Sequence, residues 1–328
     1  MLILNATETQ KALPMAEVIS ATKNAYAALS AGNAKIPLRL QLPVENQEGV
    51  MLFMPAYLWG EKGEALALKA VSVFPRNPQR GLPVIHAAVL VFEVETGKPQ
   101  ALLHGGRLTA IRTGAASGAA TDILARPDSK TAAIFGAGVQ GRTQLEAICT
   151  VRALETIWIY DLDPKRVEKF IAEMAGQGPI PRDLRAAQSS AQAVSQADII
   201  CSATTSPKPV FADADLKPGV HINGVGSYTP AMREIPPETA GRASMFVGSR
   251  EGVLAEAGEI LVAIERGLIS PADLVELGEV VRGNAPGRTS PNQITFFKSV
   301  GVAVQDAAAA RLALDNAQSQ NLGQKINW

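Results

Sequence analysis

The fold is decided by the stretch Thr131-Ala-Ala-Ile-Phe-Gly136-Ala-Gly138-Val-Gln-Gly141, in which a short β-favouring run leads into a Gly-x-Gly-x-x-Gly pattern and then a helical stretch. In a βαβ unit, Gly136 allows the tight turn from strand to helix. Gly138 lets the backbone approach a pyrophosphate, and Gly141 lets the helix pack closely on the strand. Free N–H groups at the helix start favour an anion. The stretch predicts a dinucleotide-binding turn, with a plain α/β turn as the alternative.

An acidic residue follows at the spacing that this motif requires. The next β run ends at Ile159-Tyr-Asp161, so Asp161 stands 20 residues after Gly141. A carboxylate there accepts hydrogen bonds from the adenine ribose hydroxyls and repels a 2′-phosphate. We therefore expect NAD(H) as the cofactor. Arg166 lies nearby and softens that preference, so NADP(H) stays open.

The chain reads as two units of different type. Residues beyond the glycine motif alternate between helical stretches and short β runs at 131–135, 156–160, 198–202, 220–223 and 245–247. This alternation predicts an α/β fold, a Rossmann-type doubly wound parallel sheet with helices on both faces. The first ~125 residues differ. A helical pattern over 11–31 is followed by short runs at 50–54, 66–74, 86–93 and 100–103, which predicts an α+β domain on an antiparallel or mixed sheet.

Two further helical patterns set the predicted domain boundaries. One covers residues 108–124, and a long one covers 297–314 and returns to the first unit. We place the dinucleotide-binding domain at residues 118–307. The α+β domain is then discontinuous and consists of residues 1–117 and 308–328.

The composition excludes several classes of partner. Lys plus Arg and Asp plus Glu both number 31, so no global field favours nucleic acid or an anionic membrane surface. No apolar run reaches the ~20 residues of a membrane span, and the N-terminus lacks the basic start of a secretory signal. Three histidines and two cysteines show no metal-ligand spacing. We expect a cytoplasmic protein with no metal ion.

Three cations stand in apolar surroundings in the first unit. They are Arg39 in Ile36-Pro-Leu-Arg-Leu-Gln-Leu42, Lys69 in the run 65–74, and Arg112 at the start of an almost uncharged helix. A buried cation is costly unless it is paired, and two arginines with a lysine suit a carboxylate. Ordinary surface or edge-strand cations are the alternative. The sequence by itself does not bring the three together.

A second glycine-containing loop follows another β run, as Gly224-Val-Gly-Ser-Tyr228. Loops at the carboxyl ends of parallel strands line the ligand crevice, so we expect Val225, Gly226 and Ser227 to border the cofactor. An ordinary glycine-rich loop is the alternative.

Five stretches in order resemble the ornithine cyclodeaminase/mu-crystallin family. They are Leu108-Thr-Ala-Ile-Arg-Thr113, Ile134-Phe-Gly-Ala-Gly-Val-Gln-Gly141, Ile159-Tyr-Asp-Leu-Asp163, Val225-Gly-Ser-Tyr-Thr-Pro230 and Thr295-Phe-Phe-Lys-Ser-Val-Gly301. In that family an N-terminal α+β domain, completed by the C-terminal helix, forms a homodimer and holds the substrate. A Rossmann domain binds NAD(P).

The resemblance implies roles for individual residues. Arg39 and Lys69 match the positions that bind the substrate carboxylate, and Arg112 matches the arginine between substrate and cofactor phosphate. The implied cofactor contacts are Arg112, Gly136, Gly138, Val139, Gln140 and Gly141 at the pyrophosphate turn, Asp161 at the ribose, Val225, Gly226 and Ser227 near the nicotinamide, and Lys298 and Gly301 at a helix start that also approaches the nicotinamide.

One residue departs from the cyclodeaminase pattern. Cyclodeaminases carry an aspartate in the loop after Val-Gly, and Tyr228 occupies its place here. A phenol is uncharged near neutral pH and cannot act as that carboxylate base. The Ser-Tyr-Thr-Pro form is similar to family members that reduce imino acids such as Δ1-pyrroline-2-carboxylate and related ketimines. The resemblance thus implies an NAD(P)H-dependent imine reductase that forms an L-amino acid, with Lys69 catalytic and Tyr228 contacting the substrate.

Three alternatives stay open at this point. The first is an alanine-type amino-acid dehydrogenase or a reductase of an acidic imino acid, which would use the same hydride chemistry. The second is an ornithine cyclodeaminase. The third is a non-catalytic, cofactor-dependent ligand-binding protein.

Overall fold

The computed structural model describes residues 1–327. Its strands are β1 Leu2–Leu4, β2 Ala34–Lys35, β3 Leu40–Val44, β4 Gly49–Leu58, β5 Ala65–Val73, β6 Ile85–Phe92, β7 Pro99–His104, β8 Thr131–Phe135, β9 Thr156–Tyr160, β10 Asp183–Ala186, β11 Ile199–Ser202, β12 His221–Gly224, β13 Ser244–Val247, β14 Leu274–Glu276, β15 Thr295–Lys298 and β16 Gln324–Lys325. Its helices are α1 Ala6–Lys11, α2 Met15–Ser30, α3 Gly105–Leu124, α4 Val139–Val151, α5 Pro164–Met174, α6 Ser190–Gln196, α7 Pro237–Arg242, α8 Arg250–Glu256, α9 Gly258–Glu265, α10 Leu277–Val281 and α11 Ala303–Ser319. Within this described part of the chain, none of the helices is long and apolar enough to span a membrane.

The described residues divide into two compact units. Unit 1 is Met1–Arg112 together with the segment that begins at Ala303, and unit 2 is Thr113–Val302. These boundaries lie in α3 and at the start of α11. The predicted boundaries, 117/118 and 307/308, lie in the same two helices. Residue 328, the predicted end of the discontinuous domain, lies outside the described residues.

Unit 1 is built on a mixed sheet. Within residues 1–327 it has eight strands in the order β16-β1-β7-β6-β5-β4-β2, and β3 pairs with β4. Strands β4 to β7 are antiparallel neighbours, whereas β1 lies parallel to β7. Helix α11 packs across β4, β5 and β6 and against α2. The predicted α+β architecture is confirmed.

The first long helix is shorter than predicted. The pattern over 11–31 predicts one helix, but α1 ends at Lys11 and α2 begins at Met15. Pro14 is the N-cap of α2, with φ −59° and ψ 131°. A proline disfavours helical backbone at the residue before it, which explains why the two helices do not merge.

Unit 2 is a parallel sheet with helices on both faces. Its eight strands in the described chain run in the order β10-β9-β8-β11-β12-β15-β13-β14 and pair in parallel. Neighbouring side chains of β8 point to opposite faces. Ile134 packs in one core cluster with Leu145 of α4, and Phe135 packs in the other with Val194 of α6. Full burial of such side chains contributes roughly 1.5–3 kcal/mol each. The predicted Rossmann-type fold is confirmed.

The prediction of a helix over 297–314 is wrong at its start. Thr295–Lys298 forms β15, which lies between β12 and β13 and is buried throughout. Lys298 therefore ends a strand, and Gly301 lies in the connection before α11. The aromatic and β-branched residues of β15 favour a strand, and its two pairings join segments distant in sequence that a local helical pattern does not reveal.

The glycine turn after β8 has the geometry that its sequence predicts. Gly136 has φ +98°, which L side chains rarely adopt. A Cβ built on Gly141 would lie 2.0 Å from the Gly136 carbonyl oxygen. A Cβ on Gly138 would meet nothing within 4 Å. The geometry of the turn thus favours glycine at 136 and 141, whereas the space beside Gly138 lies open.

We expect Gly141→Ala to destabilise unit 2. The added methyl group overlaps the Gly136 carbonyl oxygen, and overpacking of this kind costs about 1–3 kcal/mol. Gly138→Ala is the matched control, for which we expect a change below about 1 kcal/mol because nothing opposes the methyl group. Chemical denaturation of both variants measures the difference. Equal stability of the two variants would contradict the steric assignment.

Candidate functional site

A buried carboxylate in unit 1 joins two of the predicted cations. Asp306 Oδ2 lies 2.7 Å from Lys69 Nζ, and Asp306 Oδ1 lies 2.9 Å from Arg112 Nε. The exposed fractions are 2% for Lys69, 5% for Arg112 and 1% for Asp306. Three ionised groups are thus withdrawn from water at one point of the unit.

The surrounding elements fix these side chains in place. Lys69 lies in the middle of β5, opposite Met54 of β4 and Val89 of β6. Arg112 is carried by α3, and Asp306 lies in the first turn of α11, which packs over the same strands. An anion near a helix N-terminus is favoured by the helix dipole. The register of the sheet and the packing of α11 on it together determine where Lys69, Arg112 and Asp306 meet.

Arg39 joins this cluster from a third direction. It directly precedes β3, whose Leu40 lies opposite Phe53 of β4. The half-buried Arg39 is close enough to Lys69 to lower the pKa of that amine. The structure therefore places Lys69 and Arg112 on one carboxylate, with Arg39 near enough to act on the charge of Lys69.

The charges of the cluster do not balance. Arg112 Nη1 donates to Gln305 Oε1 at 3.1 Å, which is a neutral acceptor. Within residues 1–327, one carboxylate thus faces two buried cations. Uncompensated buried charge is costly. The cluster is therefore suited to receive one further anion, and a small carboxylate satisfies it.

The pKa values of Lys69 and Asp306 are both lowered in this cluster. Burial lowers the pKa of Lys69 to about 8, opposed by the attraction of Asp306 and assisted by repulsion from Arg112 and Arg39. Burial raises the pKa of Asp306, but Arg112 and Lys69 outweigh burial and hold that pKa below its ordinary value. Asp306 is ionised at neutral pH, and Lys69 loses its positive charge as the pH rises through about 8.

Sequence reasoning missed Asp306 and Gln305. A signal was present, because Asp306 is the lone charged residue in Val302-Ala-Val-Gln-Asp-Ala-Ala-Ala-Ala310. A charge within an apolar helix needs a partner of opposite sign, and that rule predicts a buried ion pair there.

Unit 2 carries a groove at the carboxyl ends of β8, β9 and β11. Its volume is about 860 Å³. The lining includes Gly136, Gly138, Asp161, Arg166 and Thr204. The predicted glycine turn and the predicted acidic residue therefore border one groove.

The groove fits a dinucleotide. Gly138 is the N-cap of α4 and provides no side-chain cap for the first N–H groups of the helix, which suits a pyrophosphate. Val139, the first residue of α4, is 64% exposed, and Gln140 follows it. Asp161 accepts hydrogen bonds from the Ala137 N–H at 2.8 Å and the Asp163 N–H at 3.1 Å, which orient its carboxylate at the groove. Arg166 Nη1 lies 4.0 Å from Asp161 Oδ2.

The loops after β11 and β12 are held by a buried carboxylate. Glu234 Oε1 accepts from Ser202 Oγ at 2.6 Å and the Thr204 N–H at 2.5 Å. Glu234 Oε2 accepts from the Gly226 N–H at 2.5 Å and the Ser227 N–H at 2.9 Å. Sequence reasoning missed Glu234. Its four hydrogen bonds fix two adjacent loops relative to each other.

A second buried carboxylate, that of Glu259, stabilises the loop after β12 from its buried side. Lys298 Nζ lies 2.7 Å from Glu259 Oε1 and donates to the Ser227 carbonyl oxygen at 2.7 Å. Ser227 Oγ donates to Glu259 Oε2 at 2.5 Å. The side chains of Lys298 and Ser227 are fully buried and serve the loop from within, whereas Tyr228 is 39% exposed. The structure thus places Lys298 beneath the loop, while Tyr228 lies at its surface.

The chain is similar to known proteins over its full length. The chain matches the model of the ornithine cyclodeaminase/mu-crystallin family over residues 1–321. It is 38% identical to a Δ1-pyrroline-2-carboxylate reductase of Bacillus cereus over 330 residues, covering 100% of both chains.

Two solved structures are similar over nearly the whole chain. The Δ1-pyrroline-2-carboxylate reductase of Thermococcus litoralis, in complex with NADH and L-proline, is 42% identical, with a TM-score of 0.93 and coverage of 99% of this chain and 100% of that one. An archaeal alanine dehydrogenase dimer with bound NAD is 34% identical, with a TM-score of 0.91 and coverage of 100% and 99%. This chain belongs to the ornithine cyclodeaminase/mu-crystallin family.

Proposed function

We propose that this chain is an NADH-dependent reductase of a small α-imino acid of the Δ1-pyrroline-2-carboxylate class, with an L-amino acid such as L-proline as product. The observation that carries the proposal is the buried, undercompensated cluster of Lys69 and Arg112 around Asp306. The full-length similarity to two Δ1-pyrroline-2-carboxylate reductases supports the choice of substrate class.

The cationic cluster would bind and orient the substrate. Arg39, Lys69 and Arg112 would bind the carboxylate of the imino acid. Because the C=N carbon is bonded to that carboxylate, its position relative to the three cations would then be fixed. Positioning of this kind supplies several kcal/mol of a barrier. Lys69, protonated below about pH 8, would also be able to donate a proton to the imine nitrogen. We therefore assign Lys69 as the catalytic residue and the two arginines as substrate-binding residues.

The groove of unit 2 would hold the cofactor. NADH, when bound, supplies the hydride that reduces the C=N bond. Gly136, Gly138, Val139, Gln140 and Gly141 would surround the pyrophosphate, and Asp161 would bind the adenine ribose. Val225, Gly226 and Ser227 would border the nicotinamide through their backbone. In this proposal Lys298 supports that loop, and Gly301 lies in the connection that follows β15.

Tyr228 argues against cyclodeamination. It occupies the place of the aspartate that handles the amino group in cyclodeaminases, and it is partly exposed on the loop that Glu234 holds. A hydroxyl in that place can orient the substrate through a hydrogen bond but supplies no carboxylate base. The similarity to an archaeal alanine dehydrogenase keeps an open-chain substrate as the second candidate.

We also infer a homodimer formed through unit 1. The support is a row of exposed leucines at β3, with exposed fractions of 79% for Leu38, 65% for Leu40 and 53% for Leu42. Contiguous apolar surface of this kind marks interaction sites. The similar alanine dehydrogenase is a dimer. The cytoplasmic location and the absence of nucleic-acid partners stay predictions from composition.

The substrate panel tests the proposed reaction. NADH oxidation by the purified chain is measured with Δ1-pyrroline-2-carboxylate and with pyruvate plus ammonia, and ammonia release is measured from L-ornithine. We expect kcat/KM for the cyclic imino acid to exceed that for pyruvate by about tenfold or more, since the cyclic acid already contains the C=N bond whereas pyruvate must first condense with ammonia. Faster reduction of pyruvate, ammonia release from ornithine, or binding without turnover would each contradict the proposal.

Asp161→Ala and Asp161→Asn test the cofactor assignment. Both variants remove the charge that repels a 2′-phosphate, and Asn retains an oxygen for the Ala137 N–H. We expect the ratio of NADPH to NADH affinity to rise by about tenfold or more in both, because a charged hydrogen bond contributes roughly 1.5–3 kcal/mol. Fluorescence titration of each nucleotide gives the ratio. An unchanged ratio in both variants would rule out the role of Asp161.

A further inference from the structure

We propose that Asp306 is the positioning residue of the carboxylate site, which orients Lys69 and Arg112 and maintains the positive charge of the lysine while leaving the cluster one anion short. The inference rests on the proposed function and deepens it. Asp306 is not assigned as a catalytic residue, because both of its oxygens are engaged by the two cations and it is 1% exposed.

The contacts from α11 determine which donors remain for a ligand. Asp306 takes up one Lys69 N–H and Arg112 Nε, and Gln305 Oε1 takes up Arg112 Nη1. Gln305 Nε2 also donates to the Arg112 carbonyl oxygen at 3.4 Å, which ties the backbone of α3 to the same helix. The Nη2 group of Arg112 and the other N–H groups of Lys69 are then the donors that a bound carboxylate would use.

The charge count shows why one aspartate is sufficient. Without Asp306, Lys69 and Arg112 would be two buried cations with no carboxylate bound to either in the described chain. With Asp306 the group of Lys69, Arg112 and Asp306 carries one net positive charge. A substrate carboxylate then completes the balance. A second acidic residue at this point would remove the attraction for the substrate.

The same carboxylate controls the proton of Lys69. Four influences act on this amine: burial, Arg112 from α3 and Arg39 from the start of β3 each lower its pKa, whereas Asp306 from α11 raises it. Asp306 is thus the acidic group that opposes loss of the proton. Its removal lowers the pKa of Lys69 below about 8, and the neutral amine binds a carboxylate weakly.

Two features of helix α11 favour the buried position of the Asp306 carboxylate. Asp306 lies in the first turn, where the helix dipole favours a negative charge. Ala307, Ala309 and Ala310 are buried beside it, and these small side chains allow the helix to lie close to the sheet.

The experiment compares Asp306→Asn with Asp315→Asn over a range of pH. Asp315 lies on the same helix, is about half exposed and pairs with Arg311, so its variant controls for loss of an acidic residue from α11. The readouts are kcat/KM for Δ1-pyrroline-2-carboxylate, the affinity for L-proline by calorimetry, and the affinity for NADH by fluorescence.

We expect Asp306→Asn to lower kcat/KM by about tenfold to a hundredfold, mainly through KM, and to weaken L-proline binding in parallel. In the profile of kcat/KM against pH, the alkaline limb should shift to a lower pH than in wild type, because Lys69 loses its proton at a lower pH. NADH affinity should change less than about twofold, and Asp315→Asn should behave as wild type. The inference would be overturned if Asp306→Asn kept both the alkaline limb of the kcat/KM profile at the wild-type pH and the wild-type affinity for L-proline.

A second variant keeps the test decisive if Asp306→Asn does not fold. Asp306→Glu retains the charge but displaces the carboxylate by one methylene group. We expect a raised KM with the alkaline limb at the wild-type pH, and a wild-type KM would overturn the positioning role. Failure of the proposed reaction has a different signature, since wild type and Asp315→Asn would then both lack turnover. The pH dependence of L-proline binding would still decide the role of Asp306.

Discussion

The ion pairs of Asp306 with Lys69 and Arg112 are the interaction on which this structure depends. A strand, a helix that leads into unit 2 and the helix near the C-terminus each contribute one charged group. Buried charges need partners, and the partner of Lys69 and Arg112 lies on α11, where the chain has returned to unit 1 after unit 2. The discontinuity of unit 1 is thus tied to the electrostatics of its site, since the returning helix carries the carboxylate.

Buried carboxylates also hold loops in place in unit 2. Glu234 accepts hydrogen bonds from two loops that follow neighbouring strands, and Glu259 pairs with Lys298 beneath one of them. A carboxylate has about four acceptor positions and can therefore bind several backbone N–H groups at once. The loops after β11 and β12 gain a fixed shape in this way.

Local patterns made much of the fold predictable. Strands β8 and β9 lie at the predicted residues, because strand, glycine turn and helix are encoded within a continuous segment. The three cations stood out because each is a charge among apolar residues. What the sequence did not reveal is pairing over distance. Asp306 lies 194 residues from Arg112, and β15 acquires its strand conformation from neighbours far along the chain. A short window shows that Asp306 needs a partner and that β15 has strand-favouring residues, but it does not show which distant segments supply the partners.

The central claim is that the undercompensated cluster of unit 1 binds the carboxylate of the substrate. The measurement that tests it most directly is a crystal structure of this chain with NADH and L-proline. The account predicts that the proline carboxylate lies within about 3 Å of Lys69 Nζ and of a terminal nitrogen of Arg112, while Asp306 keeps both of its ion pairs. A proline carboxylate bound away from these two cations, or an Asp306 side chain expelled on binding, would contradict it.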